Sequence, residues 1–198
     1  MNPKGPPLVD LPPAALSSRR SLFGIAGAVG AVAALATGRN AVASPNVPSA
    51  ADIEVLTLGM AAELAVSDLY ALAVAAGVSD STFATIAANH KAYGEAIAAS
   101  IGRPASGRNE EIYGQFEAAF DSSDTAVVAA TASQLEEVLV ATHLQLVGQF
   151  DGTDPVDMIT SILVVENRHA TVLADIAGEN DPATLLGTTE PATGGGGA

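Results

Sequence analysis

No cysteine occurs among the 198 residues. Its absence excludes a disulfide framework, thiol catalysis, and zinc or iron–sulfur sites built on thiolates. It leaves the compartment open, because exported proteins need no disulfides. Tryptophan is also absent and aromatic residues make up only 4%, so the 48% hydrophobic content rests mostly on Ala, Val and Leu. Ala and Leu are strong helix formers, and small side chains let helices approach closely. Long Ala-rich stretches with few β-branched runs therefore imply an all-α domain. Positive charge is scarce as well, with 8 Lys and Arg against 22 Asp and Glu, a formal net charge of −14. Such a surface repels phosphate backbones and anionic membranes, which argues against nucleic-acid binding. A phosphate-binding glycine loop and a Gly-x-Ser-x-Gly nucleophile turn are both missing, so nucleotide-dependent and serine-hydrolase chemistry lack support.

The N-terminal 43 residues read as an address. A Pro-rich start leads to Ser18-Arg19-Arg20-Ser21-Leu22-Phe23, then an uncharged run from Leu22 to Thr37, then Ala41-Val42-Ala43 with Ser44-Pro45 behind it. A charged region, a short apolar region and an A-x-A site define a signal peptide, and the arginine pair marks the twin-arginine route. The run is short and weakly hydrophobic for a membrane span, which needs about 20 residues; the other reading is an uncleaved anchor. After cleavage no membrane attachment is expected. The remainder keeps 4 basic and 21 acidic residues, a formal charge of −17.

Residues 44–49 read as a linker, with Ser49 able to cap a helix start. The pattern predicts helices over about 50–76, 79–101, 125–150 and 155–177, with Gly77 and Gly178 as stops and Pro155 opening the last one. A short helix over 110–120 lies in the long connection between the second and third. Residues 179–198, ending in four glycines, read as a disordered tail. Four long helices with two short turns and one longer connection describe a bundle.

Polar residues stand at regular places in these apolar helices. The first carries Glu63 with Tyr70 seven residues on; the third carries Glu136 with His143 seven residues on. Seven residues is about two turns, so each pair shares a face. The helices that follow each bring a histidine, His90 and His169, and the last has Glu166-Asn167-Arg168-His169, whose Glu and His project from one face. The halves echo one another like a duplicated helix hairpin. Each candidate also has a plainer reading. Glu63 could be partly solvated, His90 a surface residue beside Lys91, Glu136 half of an acidic pair with Glu137, and Glu166 and His169 part of an exposed charge cluster. Joint occurrence on four helices favours a shared purpose, because burying lone Glu or His is expensive.

The segments Ala62-Glu63-Leu64 with Tyr70, Ala88-Asn89-His90-Lys91, Gln134-Leu135-Glu136 and Val165-Glu166-Asn167-Arg168-His169-Ala170 together resemble the ferritin-like family. The resemblance spans residues 50–178. It implies an all-α, ferritin-like up-down four-helix bundle with a long connection between helices 2 and 3. It also implies a metal site with Glu63, His90, Glu136, Glu166 and His169 as ligands and iron or manganese as cofactor. Family members place a Glu three residues before the helix-2 histidine; here that position is Ala87, and Glu95 is too far around the helix to replace it. The implied di-iron-type centre is thus one carboxylate short. His143 falls where relatives often carry an aromatic residue and is expected to be a packed or supporting residue. The metal ion is the expected partner, and a homo-oligomer is left open. Two functions follow: an exported metal-binding or oxidoreductase-like protein, or a non-catalytic exported scaffold acting in stress or binding.

The arginine pair generates the first test. Replacing Arg19 and Arg20 together by Lys is expected to hold the precursor in the cytoplasm, read by fractionation and immunoblotting; unchanged export of the double variant would refute the twin-arginine reading.

Overall fold

The computed structural model describes residues 47–185 and Pro191. The expected signal peptide, half of the linker (44–46) and most of the expected tail lie outside the described residues. Among those described, all regular structure is helical: α1 (Ala50–Ala76), α2 (Ser81–Ser100), α3 (Glu110–Phe120), α4 (Thr125–Val147), α5 (Thr153–Ala177) and α6 (Pro182–Leu185).

The starts are set by short polar side chains. Ser49 and Asp52 form a capping box at α1, and Asp80, Asn109 and Asp124 cap α2, α3 and α4 by accepting backbone N–H bonds of the first turn. Asp52 also accepts the Asp151 N–H at 2.8 Å, tying the start of α1 to the turn before α5. Gly77 (φ 115°) and Gly178 (φ 79°) end α1 and α5 in the left-handed region that favours glycine. Two boundaries differ from expectation. α5 begins at Thr153, so Pro155 is its third residue; its missing N–H falls among the first-turn groups that have no intrahelical partner in any case. α4 ends at Val147, three residues early. The short α6 lies within the segment expected to be a tail.

Consecutive long helices pair, α1 with α2 and α4 with α5, while α1 also touches α4 and α3 packs on both α1 and α4. Glycine at position 94 permits the close approach of α1 and α2, since a Cβ there would lie 3.0 Å from Leu64 Cδ2. The connection that carries α3 is fastened by the Asn109 N–H to the Ala61 carbonyl at 2.8 Å. Beside it, Arg108 lies 3.5 Å from the Tyr113 ring centroid and pairs with Asp68 and Glu110.

The apolar interior has two parts. One gathers Val66, Leu69, Tyr70, Phe83, Ile86, Phe116, Phe120, Leu135, Leu139 and Leu173. The other gathers Leu56, Met60, Tyr93, Ile97, Ile159 and Ile162. On α1, α2 and α5 the junction between them falls at Glu63, His90, Glu166 and His169. α1 is long and apolar enough to cross a membrane by composition. It is nevertheless a core helix, with Leu56, Ala65, Val66, Leu69 and Tyr70 at 1% exposure or less.

Phe120 is fully buried and meets the Tyr70 ring edge-on at 5.4 Å. Phe120→Ala is expected to cost about 3–5 kcal/mol of stability by loss of transfer energy and the cavity left behind, measured by denaturant unfolding of the mature chain.

Candidate metal centre

Six titratable side chains from four helices meet at this junction: Glu63 of α1, His90 of α2, Glu136 and His143 of α4, and Glu166 and His169 of α5. Five are 0% exposed and His169 is 8% exposed. All five residues expected from the sequence are therefore brought together, with His143 added as a sixth. None is solvated, which removes the plainer reading of each.

The contacts fall into two groups joined by His90. His90 Nδ1 lies 2.7 Å from Glu63 Oε2 and its Nε2 lies 3.0 Å from Glu136 Oε1. A doubly protonated ring satisfies both carboxylates by donating from each nitrogen. Glu136 Oε1 also accepts the Tyr70 hydroxyl at 2.5 Å, and its Oε2 lies 3.4 Å from His169 Nδ1. His169 Nε2 faces Asn89 Nδ2 at 3.1 Å. On the other side His143 Nδ1 lies 2.9 Å from Glu166 Oε2, while its Nε2 stands 3.5 Å from Glu63 Oε1. Tyr70 stacks on His90, the ring planes 8° apart.

Electrostatics follow from burial with close opposite charge. Burial disfavours a charged His90, but the Glu136 and Glu63 carboxylates outweigh it and hold its pKa well above the ordinary value. Burial likewise opposes charge on His143, yet Glu166 and Glu63 raise it to about 9. Glu136 resists burial through His90 and His169 and is lowered to about 2. For Glu166 burial prevails over His143 and its pKa rises to about 7. Burial, then Glu136, pushes Tyr70 far above its ordinary value, so its hydroxyl remains a donor.

Among the described residues, three buried side-chain polar atoms lack a hydrogen-bond partner: Glu63 Oε1, His143 Nε2 and Glu166 Oε1. Leaving such atoms unpaired in an apolar core is costly, and a cation is one way to offset buried carboxylate oxygens. Among the described residues, two sets of side chains offer donor atoms within 4.8 Å of one another, His90 with Glu136 and His169, and Glu63 with His90 and Glu166. Carboxylate oxygens and imidazole nitrogens without sulfur suit iron, manganese or zinc, so the residues present fit a metal. Ala87 packs against the larger apolar cluster and contributes only its carbonyl, which accepts the Ser67 hydroxyl at 3.0 Å. Glu95 is exposed and lies 3.9 Å from Lys91.

The sequence reading gave His143 a packed or supporting role, and the structure places it fully buried with Nδ1 2.9 Å from Glu166 Oε2. Its seven-residue spacing from Glu136, matching that of Tyr70 from Glu63, was the available signal. The structure extends the parallel, since Tyr70 reaches the Glu of α4 and His143 reaches the Glu of α1. Asn89, whose amide meets His169, gave no such signal.

Residues 51–179 match the family model described as ferritin-like domain. No curated protein and no solved structure matches the chain.

The shifted groups set the pH dependence of the metal-free domain. His143, His90 and Glu166 bind protons more tightly when folded, so the stability they contribute at low pH is lost as pH rises, through about 7 for Glu166 and about 9 for His143. Glu136 has the opposite sign: its contribution is present above the ordinary carboxylate range and lost as pH falls toward about 2. Melting in chelator is therefore expected to show the highest Tm near pH 5–6, with decline toward about pH 9 and toward about pH 3. A Tm that climbs from pH 6 to about pH 9 would contradict this charge assignment.

Proposed function

The chain belongs to the ferritin-like domain family, and on that premise we propose that it is an exported ferritin-like protein that binds a metal ion at the centre of an up-down bundle of its four long helices. One observation carries the reading: three mutually close buried side chains, Glu63, His143 and Glu166, each keep a polar donor atom without a hydrogen-bond partner. Glu63, Glu136 and Glu166, with His90 and His169, are the residues that the family pattern would use to hold the metal. When bound, iron or manganese supplies one-electron chemistry toward oxygen or peroxide, which makes the protein oxidoreductase-like.

The chain's own residues do the rest. The two apolar clusters seal the site above and below and exclude water. His90, held between two carboxylates, fixes Glu63 and Glu136 relative to one another. Tyr70 keeps a proton on its hydroxyl and donates it to Glu136, holding that carboxylate in place. Asn89 orients His169. Export by the arginine-pair signal fits a domain that folds before transport.

A second reading, a scaffold without catalytic activity, is favoured by one feature. The Glu136 half is satisfied by Tyr70, His90 and His169 alone, and the carboxylate that position 87 would add is absent.

Binding is tested by melting chelator-treated mature protein with added Mn(II) or Fe(II), the latter without oxygen. At 100 times Kd a bound ion adds about 2.7 kcal/mol, a Tm rise of roughly 5–11 °C in a domain of this size. Glu166→Ala is expected to abolish the rise. No shift with any divalent ion, and no metal in protein as purified, would leave the scaffold reading.

A further inference from the structure

Among the described residues, the two sets of side chains with mutually close donor atoms have His90 in common: one adds Glu136 and His169, the other Glu63 and Glu166. His90 Nδ1 faces Glu63 Oε2 at 2.7 Å, and its Nε2 faces Glu136 Oε1 at 3.0 Å. A neutral imidazole has a lone pair at one nitrogen and a proton at the other. The ring can therefore ligate on one side only, and it donates on the other. The two sets exclude one another.

The sides differ in what they leave unused. Both Glu136 oxygens have partners, Tyr70 and His90 at Oε1 and His169 at Oε2. The other nitrogen of His169 meets Asn89. An ion on that side would have to break several of these contacts. On the other side Glu63 Oε1 and Glu166 Oε1 are fully buried without a hydrogen-bond partner, so each carboxylate has an oxygen to offer while its second oxygen stays held. Two carboxylates also neutralise one divalent charge. Atoms about 2.1 Å from one ion stand ~3.0 to 3.4 Å apart, so the 2.7 Å contact of His90 with Glu63 needs to open by only a little. His143 stays outside the ligand set. Its Nδ1 lies 2.9 Å from Glu166 Oε2 and its Nε2 3.5 Å from Glu63 Oε1. A ring that faces carboxylate oxygens on both sides carries a proton on each nitrogen and has no lone pair to give. Despite burial, Glu166 and Glu63 hold its pKa at about 9.

We propose that the centre takes a single divalent cation on Glu63, Glu166 and His90 Nδ1, and that Glu136 and His169 do not ligate it; Glu136 is instead a positioning residue that accepts the His90 Nε2–H. This rests on the metal reading above and deepens it. A carboxylate on the far nitrogen of a ligating histidine fixes its tautomer and ring orientation and makes it a stronger ligand. Tyr70 and His169 hold the two Glu136 oxygens in turn, and the Tyr70 ring stacks on His90 with planes 8° apart. The Nδ1 proton leaves to solvent as the ion binds. Position 87, three residues before His90, is alanine and adds no carboxylate from which a second site could be built.

The test uses mature protein freed of metal and titrated with Zn(II) or Mn(II) in a calorimeter, together with crystals soaked in the same ion and measured for anomalous scattering. One equivalent per chain is expected, with one anomalous peak at bonding distance from His90 Nδ1, Glu63 and Glu166 and outside bonding distance of Glu136. Glu166→Gln should abolish binding. Glu136→Gln, whose amide oxygen still accepts the Nε2–H, should keep one equivalent and an unmoved peak with affinity down about tenfold; Glu136→Leu should lose up to about a hundredfold. A peak on Glu136 or His169, a second peak, tight binding by Glu166→Gln, loss of binding in a folded Glu136→Gln variant, or wild-type affinity in Glu136→Leu would overturn the assignment and leave the metal reading standing. If wild-type protein takes up no ion, the metal reading itself fails. Melting in chelator shows which variants fold, and should none do so, the peak position in wild-type crystals decides alone.

Discussion

Three carboxylates and three imidazoles share the middle of an apolar interior, five of them with no exposure at all, so each must find its counter-charge among the others. Charge removed from water is stable only when paired. That requirement fixes much else in the domain. It sets the depth at which the four long helices align, because Glu63, His90, Glu136 and Glu166 have to meet. It demands that α2 come close to α1, which Gly94 permits. It also divides the core, with the aromatic cluster around Phe83 and Phe120 on one side and the aliphatic cluster around Ile97 and Ile159 on the other.

The cluster is not symmetric, although the chain has the form of a repeated hairpin. Tyr70 and His143 occupy corresponding places on α1 and α4, and each reaches the glutamate of the opposite hairpin. Tyrosine there donates to Glu136, whereas His143 meets Glu166 through Nδ1 and faces Glu63 Oε1 with Nε2 at 3.5 Å. Ala87 and Glu166 are the second unequal pair, one packed as an apolar side chain and the other a carboxylate held by His143. Both differences push donor atoms toward the same side. One half is closed by hydrogen bonds, while the other keeps Glu63 Oε1, Glu166 Oε1 and His143 Nε2 without a hydrogen-bond partner.

A good deal of this was legible in the residues. Ser49, Asp80 and Asp124 cap helices because short oxygen-bearing side chains reach the first-turn amides, and Gly77 and Gly178 end them because they adopt positive φ. Those are interactions over three or four residues and leave a local signature. The start of α5 was misplaced by two residues because Pro155 is tolerated anywhere in a first turn, so its presence does not fix the first residue. The five expected site residues were legible for a similar reason: a charged residue recurring in an apolar helix stands out, and the order of Glu and Glu-x-x-His follows a family pattern.

The sequence by itself determined the helical class, the positions of the long helices and the identities of the residues that would have to be buried together. Helix periodicity is local, so faces can be read one element at a time. Only the tertiary structure decided what each buried atom does. Whether a histidine is a strap between carboxylates, as His90 is, or presents an unpaired nitrogen, as His143 does, depends on which side chains of other helices surround the ring. Their hydrogen-bonded neighbours lie 23 to 46 positions away along the chain, and packing alone brings them within reach.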